Sequence, residues 1–331
     1  MKTMKWLLRR EFWEHKGAMF WAPIVVGAAM ILFVTATVLY GSTAGTFHQN
    51  VTVTTENGQT TTTTTDISSE FTKLTPEKKQ EMANMVASGY MAAGAPLFLI
   101  LAAVVFLYCL AALNDERRDR SILFWKSLPV SDAETVLSKV LTAAVVAPLI
   151  TMAVATFVSL LLLLIVGAAF AIKGVNLFAP VLASPALYLA PLQLLGMLPV
   201  YVLWALPTIG WLLLVSAWAK SKVFLWAVGA PVITLIIIKW VNYLLGMGID
   251  LQWFIHNVVA RCLLGVIPGA YLGLAKVDKA LLVNEQHNAV FGAIFQQSWL
   301  TLTQPAVWIG AVAGAAMIYA AIRMRRWKDE G

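Results

Sequence analysis

The stretch Asn114–Lys139, NDERRDRSILFWKSLPVSDAETVLSK, holds the residues best suited to a chemistry of recognition. The 331-residue chain has 24 basic and 17 acidic residues, and ten of them fall here: Asp115, Glu116, Arg117, Arg118, Asp119, Arg120, Lys126, Asp132, Glu134 and Lys139. Leu123, Phe124, Trp125 and Leu128 give that charge an apolar centre. Apolar side chains ringed by arginines and carboxylates suit a docking patch, in which the anchor enters a pocket and charge-assisted hydrogen bonds form at the rim. The alternative is a solvated loop whose charges only fix topology. Pro129 and the capping box Ser131-Asp132-Ala133-Glu134 favour docking, because both give the patch a defined shape.

Bond-making chemistry has little support. There is no G-x-x-x-x-G-K-[ST] phosphate loop, so ATP hydrolysis by this chain alone is not expected. His15, His48, His256 and His287 form no H-E-x-x-H pair and no Cys/His cluster, which argues against catalytic zinc. No G-x-S-x-G elbow occurs. No catalytic residue, cofactor or metal is therefore expected in the chain. Cys109 lies in an apolar run and Cys262 in a predicted outer segment, so they are not expected to pair. Two cations in apolar surroundings, Lys239 in LIIIKWVNY and Arg261, are candidate pathway or gate residues. Each also fits a plainer role: snorkelling to headgroups for Lys239, headgroup contact for Arg261.

The elements that must position these residues are membrane helices. The chain is 60% hydrophobic and 12% charged, with a mean hydropathy of +0.76, and no soluble fold hides that much apolar surface. A net charge of +7 would suggest nucleic acid for a soluble protein. Here the basic residues sit at span ends, where the positive-inside bias explains them, so membrane lipids and not nucleic acid are the expected surroundings.

The expected fold is an all-α integral membrane protein, one domain over 1–331, with six spans at 18–40, 88–113, 136–170, 187–218, 223–247 and 300–322. Residues 1–16 form an amphipathic interfacial helix, with Met4, Leu8 and Phe12 on one face and Lys2, Lys5, Arg9 and Lys16 on another. Trp6 and Trp13 suit the headgroup layer. The run 18–40 is too long for a signal peptide's apolar region, so it is expected to stay uncleaved. Residues 41–87 form an extracytoplasmic loop in which VTVTTENGQTTTTT predicts a small β-hairpin with a type I′ turn at Asn57-Gly58, a flexible Thr-rich loop being the alternative.

Thr75-Pro76-Glu77 predicts a helix start that could run straight into the second span. A helix over 136–170 would reach about 52 Å against a ~30 Å hydrocarbon core, so it must begin in water. Pro191, Pro199 and Pro207 predict kinks in the fourth span. Residues 248–299 are expected to dip into the outer leaflet or lie on it, because a seventh crossing at 251–275 would put Arg323, Arg325, Arg326 and Lys328 of the 323–331 tail outside. Six spans instead place the basic leader, the charged patch, Lys220, Lys222 and the tail on the cytoplasmic side.

Glu116-Arg117, Leu123, Ser127-Leu128-Pro129-Val130-Ser131 and Lys139 resemble the cytoplasmic loop of ABC-2-type permeases, the membrane subunits of a class of ATP-binding-cassette exporters. The basic leader, long first outer loop, six spans and long segment before the last span are similar too. Many members carry glycine where this chain has Arg120, a departure from the family's pattern at the local turn. The resemblance implies that 114–135 is a coupling segment seated in a groove of a separate ATPase subunit. Its docking residues would be Glu116, Arg117, Arg118, Arg120, Leu123, Phe124, Trp125, Leu128, Pro129 and Ser131.

It further implies two ATPase copies holding ATP and Mg, a second permease copy in a homodimer, and a bacterial cytoplasmic (inner) membrane with both termini cytoplasmic. The cargo would be an amphipathic, lipid-like, peptide or drug molecule, with 251–299 forming an outward gate. An ion-gradient-driven secondary transporter, a membrane-embedded enzyme and a non-transporting anchor or sensor that recruits an ATPase are the other readings. The near absence of acidic side chains from the spans speaks against the first.

Overall fold

With no water in a bilayer interior, an uninterrupted apolar run is stable only where its backbone satisfies its own hydrogen bonds, and a helix does so within one segment. The computed structural model follows that logic. It describes residues 2–43, 49–54, 60–65, 71–119, 130–246, 248, 250–283 and 290–328. Among the described residues six helices are long and apolar enough to cross a membrane: α2 (Gly17–Gly41), α3 (Pro76–Arg118), α4 (Asp132–Ile172), α6 (Pro185–Trp218), α7 (Val223–Leu245) and α12 (Pro305–Trp327). The shorter helices are α1 (Lys2–Glu14), α5 (Phe178–Leu182), α8 (Leu251–Phe254), α9 (Ala260–Leu264), α10 (Ala270–Leu274) and α11 (Phe291–Leu300). Only 11% of the most apolar stretch of α2 and of α7 is buried, leaving Phe33 (73% exposed) and Tyr243 (85%) facing outward. Apolar surface on that scale requires lipid around it.

Local signals set the helix ends. Thr75 caps α3, its Oγ1 accepting from the Lys78 N–H at 3.5 Å, and Pro76 occupies the first turn. The helical run then continues for 43 residues, passing through a 3₁₀ stretch at Tyr90–Gly94. At the start of α4, Ser131 Oγ accepts from the Glu134 N–H at 3.2 Å while Glu134 Oε2 accepts from the Ser131 N–H at 3.1 Å. In α6 the helix breaks at Met197 and resumes with Pro199 in its first turn, while Pro191 and Pro207 lie within it. The final helix departs from expectation at both ends. It starts at Pro305, after a 3₁₀ turn at Thr301–Thr303 and an extended Gln304, and it carries Arg323, Arg325 and Arg326 on the helix itself.

From Leu251 through Leu264 the chain is helical over 14 residues, about 21 Å and short of a ~30 Å hydrocarbon core. Pro268 and Gly269, the latter at φ +83°, then break the path before α10. Strands β1 (Gln49–Thr54) and β2 (Thr60–Thr65) pair antiparallel with Thr54 opposite Thr60. That register is one residue away from the one a two-residue Asn57-Gly58 turn would set. An all-threonine strand has no apolar alternation to fix it. Residues 55–59, with the turn itself, lie outside the described residues.

Three π-helical turns, at Gly17–Trp21, Thr142–Val146 and Ile255–Val259, each insert one extra residue into a helical run. The main core joins α3, α4, α6 and α12 through Val105, Tyr108, Val140, Ile209, Leu213 and Ile318. The closest approach is between α6 and α12. A Cβ on Gly210 would lie 2.5 Å from the Gly314 carbonyl oxygen, and one on Gly314 would lie 2.6 Å from that of Leu206. Small residues at these crossings let two backbones touch, which in lipid is a main source of helix association.

Candidate functional site

At one end of this core, side chains from four helices close into a buried ion-pair hub. Lys139 Nζ, on α4, lies 2.9 Å from Glu11 Oε1 of α1 and 3.0 Å from Glu116 Oε1 at the end of α3. Arg325 of α12 lies 2.8 Å from the other Glu116 oxygen through Nη1, and 3.1 Å from Asp132 Oδ1 through Nε. The Tyr108 hydroxyl donates to Glu11 Oε2 at 2.7 Å. Arg10 stands 3.9 Å from Glu116 Oε1, so three carboxylates meet three cations. Glu11, Glu116, Lys139 and Arg325 are each no more than 6% exposed. Buried charge on this scale persists only where pairing is nearly complete.

The electrostatics follow from that pairing. Burial pushes the Glu11 carboxyl up, but the Lys139 ammonium, its hydrogen bond, the Tyr108 hydroxyl and Arg10 together hold it below the ordinary carboxylate value. His15 packs its ring edge-on against Tyr108, with centroids 4.7 Å apart, and screens the hub from the side. The hub therefore joins the N-terminal helix, both borders of segment 120–129 and the last helix.

Several residues expected on a docking rim turn inward. Glu116 is spent on Lys139 and Arg325. Arg117 Nη2 donates to the Ser216 and Ala219 carbonyls at 2.5 and 2.9 Å, capping the C-terminal end of α6, where the helix dipole favours a cation. Ser216 completes the joint: its hydroxyl donates to the Leu110 carbonyl at 2.7 Å and accepts from the Leu113 and Asn114 N–H groups. Arg118 and Asp119 stay exposed, and Ser131 is exposed as the N-cap of α4. Arg120, Leu123, Phe124, Trp125, Leu128 and Pro129 lie outside the described residues.

The inward turn has a helical cause. The inner stripe Leu101, Val105, Tyr108, Ala112 of α3 reaches Glu116 at its next position, and the stripe Val136, Val140, Ala143 of α4 runs beside Lys139. On α1 the buried line is Leu7 and Glu11, while Met4, Leu8 and Phe12 flank it half-buried. The carboxylate, drawn to Lys139, rotates the helix off its purely apolar face.

A second cluster, midway along α6, holds the segment between α7 and α12. Arg261 stacks its guanidinium over Trp204 at 4.4 Å and donates to the Ala306 carbonyl, and its own carbonyl accepts from Thr208 Oγ1 at 2.5 Å. Trp204 Nε1 donates to Thr301 Oγ1 at 3.1 Å, and its ring lies against Tyr271, whose hydroxyl meets Ser298 Oγ at 2.9 Å. Arg261 is thus a buried tie between helices and not an exposed headgroup contact. Gly310 leaves the room its Nη1 occupies. Neither Gly310 nor Gly314 was singled out from sequence, although their spacing of four was the available signal.

Lys239 is exposed on α7 beside Ile236 and Trp240. Cys109 and Cys262 are both unpaired thiols, and burial pushes the Cys262 thiol up to about 11. Among the described residues no three His, Cys, Asp or Glu side chains come together as a metal site. Comparison with protein-family models, curated proteins and solved structures finds no match to this chain.

Proposed function

We propose that this chain is the membrane subunit of an ATP-binding-cassette exporter, driven through segment 114–135 by a separate ATP-binding subunit. The observation that carries the reading is the hub. Both borders of the charged segment, Glu116 and Asp132, are ion-paired to Arg325, and Lys139 extends the ties to Glu11. A partner pressing on 120–129 would therefore move α1, α3, α4 and α12 together and not merely bend a loop. Arg118 and Asp119 remain at the surface to meet it, with Leu123, Phe124, Trp125 and Leu128 as the apolar anchor.

In this reading α1 lies in the headgroup layer, with Trp6 and Trp13 exposed on it. Six crossings leave both termini on one side, read here as the cytoplasmic side of a bacterial inner membrane, and two copies of the chain form the pathway in this reading. The segment 251–299 is the outward gate. It covers a cavity of about 510 Å³ that reaches from Pro268 and Tyr271 to Phe98 and Met152. The lining is almost wholly apolar, with Tyr201 and Tyr271 among its few hydroxyls, and suits an amphipathic cargo. The Arg261–Trp204 tie is then the latch that gate motion must loosen.

The test is affinity purification from the native membrane, comparing wild type with Leu123→Asp and Arg118→Glu. Glu116 is left intact because its loss would disturb the hub. A Walker-motif ATPase that accompanies wild type and is lost from the variants, at unchanged melting temperature, supports the reading. An ATPase that never accompanies the chain, or stays with both variants, overturns it and favours a gradient-driven carrier.

A further inference from the structure

At the end of α4 opposite the hub lies a cavity of about 700 Å³, walled by Leu74, Met82 and Val86 near the start of α3, Leu164 and Phe170 of α4, and Val181 of α5. Every side chain lining it is apolar. Water would find no hydrogen-bond partners in such a space, and an empty void would forfeit dispersion contacts along all its walls. Leu160, Leu164 and Leu182 line it and are also 40–57% exposed, so it opens sideways onto the apolar surface of the bundle. Along α4 the lining runs from Leu160 to Phe170, about 15 Å of helix, which is the depth of one leaflet of a ~30 Å hydrocarbon core. α4 ends just beyond, where exposed Lys173 marks the boundary with water.

A cation stands at the mouth. Lys79 Nζ sits 4.8 Å from the ring of Phe71, itself part of the lining. Among the described residues, the segments that close this end carry Lys73, Lys78, Lys79 and Lys173 against Glu77 and Glu81. A leaflet-deep apolar slot that opens to lipid beneath a cationic lip matches one chemistry: an acyl chain joined to an anionic headgroup. We propose that this cavity is a site for an anionic glycerophospholipid of the leaflet opposite the hub, with one acyl chain in the slot and the phosphate at Lys79. The proposal rests on the chain spanning a membrane and does not depend on the exporter reading.

Native mass spectrometry of the detergent-purified full chain tests it, with phosphatidylglycerol or phosphatidylcholine of identical chains added back after delipidation. Wild type is expected to retain one phosphatidylglycerol at several-fold lower added lipid than phosphatidylcholine. Val86→Trp and Leu164→Trp, both filling the slot from partly exposed positions, should lose retention of both lipids. Lys79→Glu should keep chain binding and lose the preference for phosphatidylglycerol. Two filling variants are used so that misfolding of one, seen by gel filtration, leaves the other to decide. Undiminished retention in a folded filling variant overturns the site, and a preference unchanged by Lys79→Glu overturns the headgroup assignment. A retained molecule that is not a phospholipid, displaced by Val86→Trp, would make the slot a cargo site instead.

Discussion

Lys139 is surrounded by two carboxylates, and Glu116 by two close cations, so no member of the hub can be removed without leaving another short of a partner. Buried ion pairs contribute little net stability when intact, yet breaking one exposes an uncompensated charge at a cost of about 3–5 kcal/mol. Glu11 ties this to pH. Its native pKa lies below the value of about 4.3 expected when unfolded, so its contribution is fully present above that pH and is lost as pH falls through the native pKa. Thermal unfolding in detergent should show a midpoint that falls below about pH 4 in wild type. Glu11→Gln should melt lower at neutral pH, by about 1.5–3 kcal/mol for a lost charged hydrogen bond, with a shallower acid limb. An acid limb unchanged by Glu11→Gln would show that other carboxylates dominate acid sensitivity.

Among the elements, α6 and α12 meet backbone to backbone where Gly210 and Gly314 cross. Gly314→Ala would put a methyl group 2.6 Å from the Leu206 carbonyl oxygen, with backbone and no flexible side chain in the way. Overpacking of this kind costs about 1–3 kcal/mol, and Gly314→Leu more, so both variants should lower the melting midpoint in that order. Gly229→Ala on α7, with nothing within 4 Å, should not lower it and should raise it slightly, since Ala is the better helix former. The starts of α3 and α4 were legible because Thr75-Pro76 and Ser131–Glu134 are local chemistry, read within four residues. The inward turn of Glu116, Arg117 and Arg325 was not. Charge at a span end fits water or a buried partner equally well, and only the phase of the helix relative to its neighbours decides. Continuing the apolar stripes by one step would have reached Glu116.

For the whole molecule, the hub and the slot sit at opposite ends of a single 41-residue helix, so α4 must present the correct face at both. From Val136 to Leu162 an unbroken α-helix turning about 100° per residue would end some 80° out of phase, yet both side chains are buried. The π turn at Thr142–Val146 absorbs roughly one residue of that rotation and brings Val136 and Leu162 back to the same face of the helix. Six spans were countable from composition because apolar length needs no phase, whereas this correction was invisible to periodicity. The helix thus carries one spare residue, held where its loss is harmless. Deleting Val145 should convert the turn to ordinary α-helix and leave a folded chain, by gel filtration and melting. Deleting Val154, about two turns beyond, should rotate the outer half by about 100° and abolish folding. In evolutionary terms, Thr142–Val146 is where this fold can shed a residue without the rest of the helix noticing.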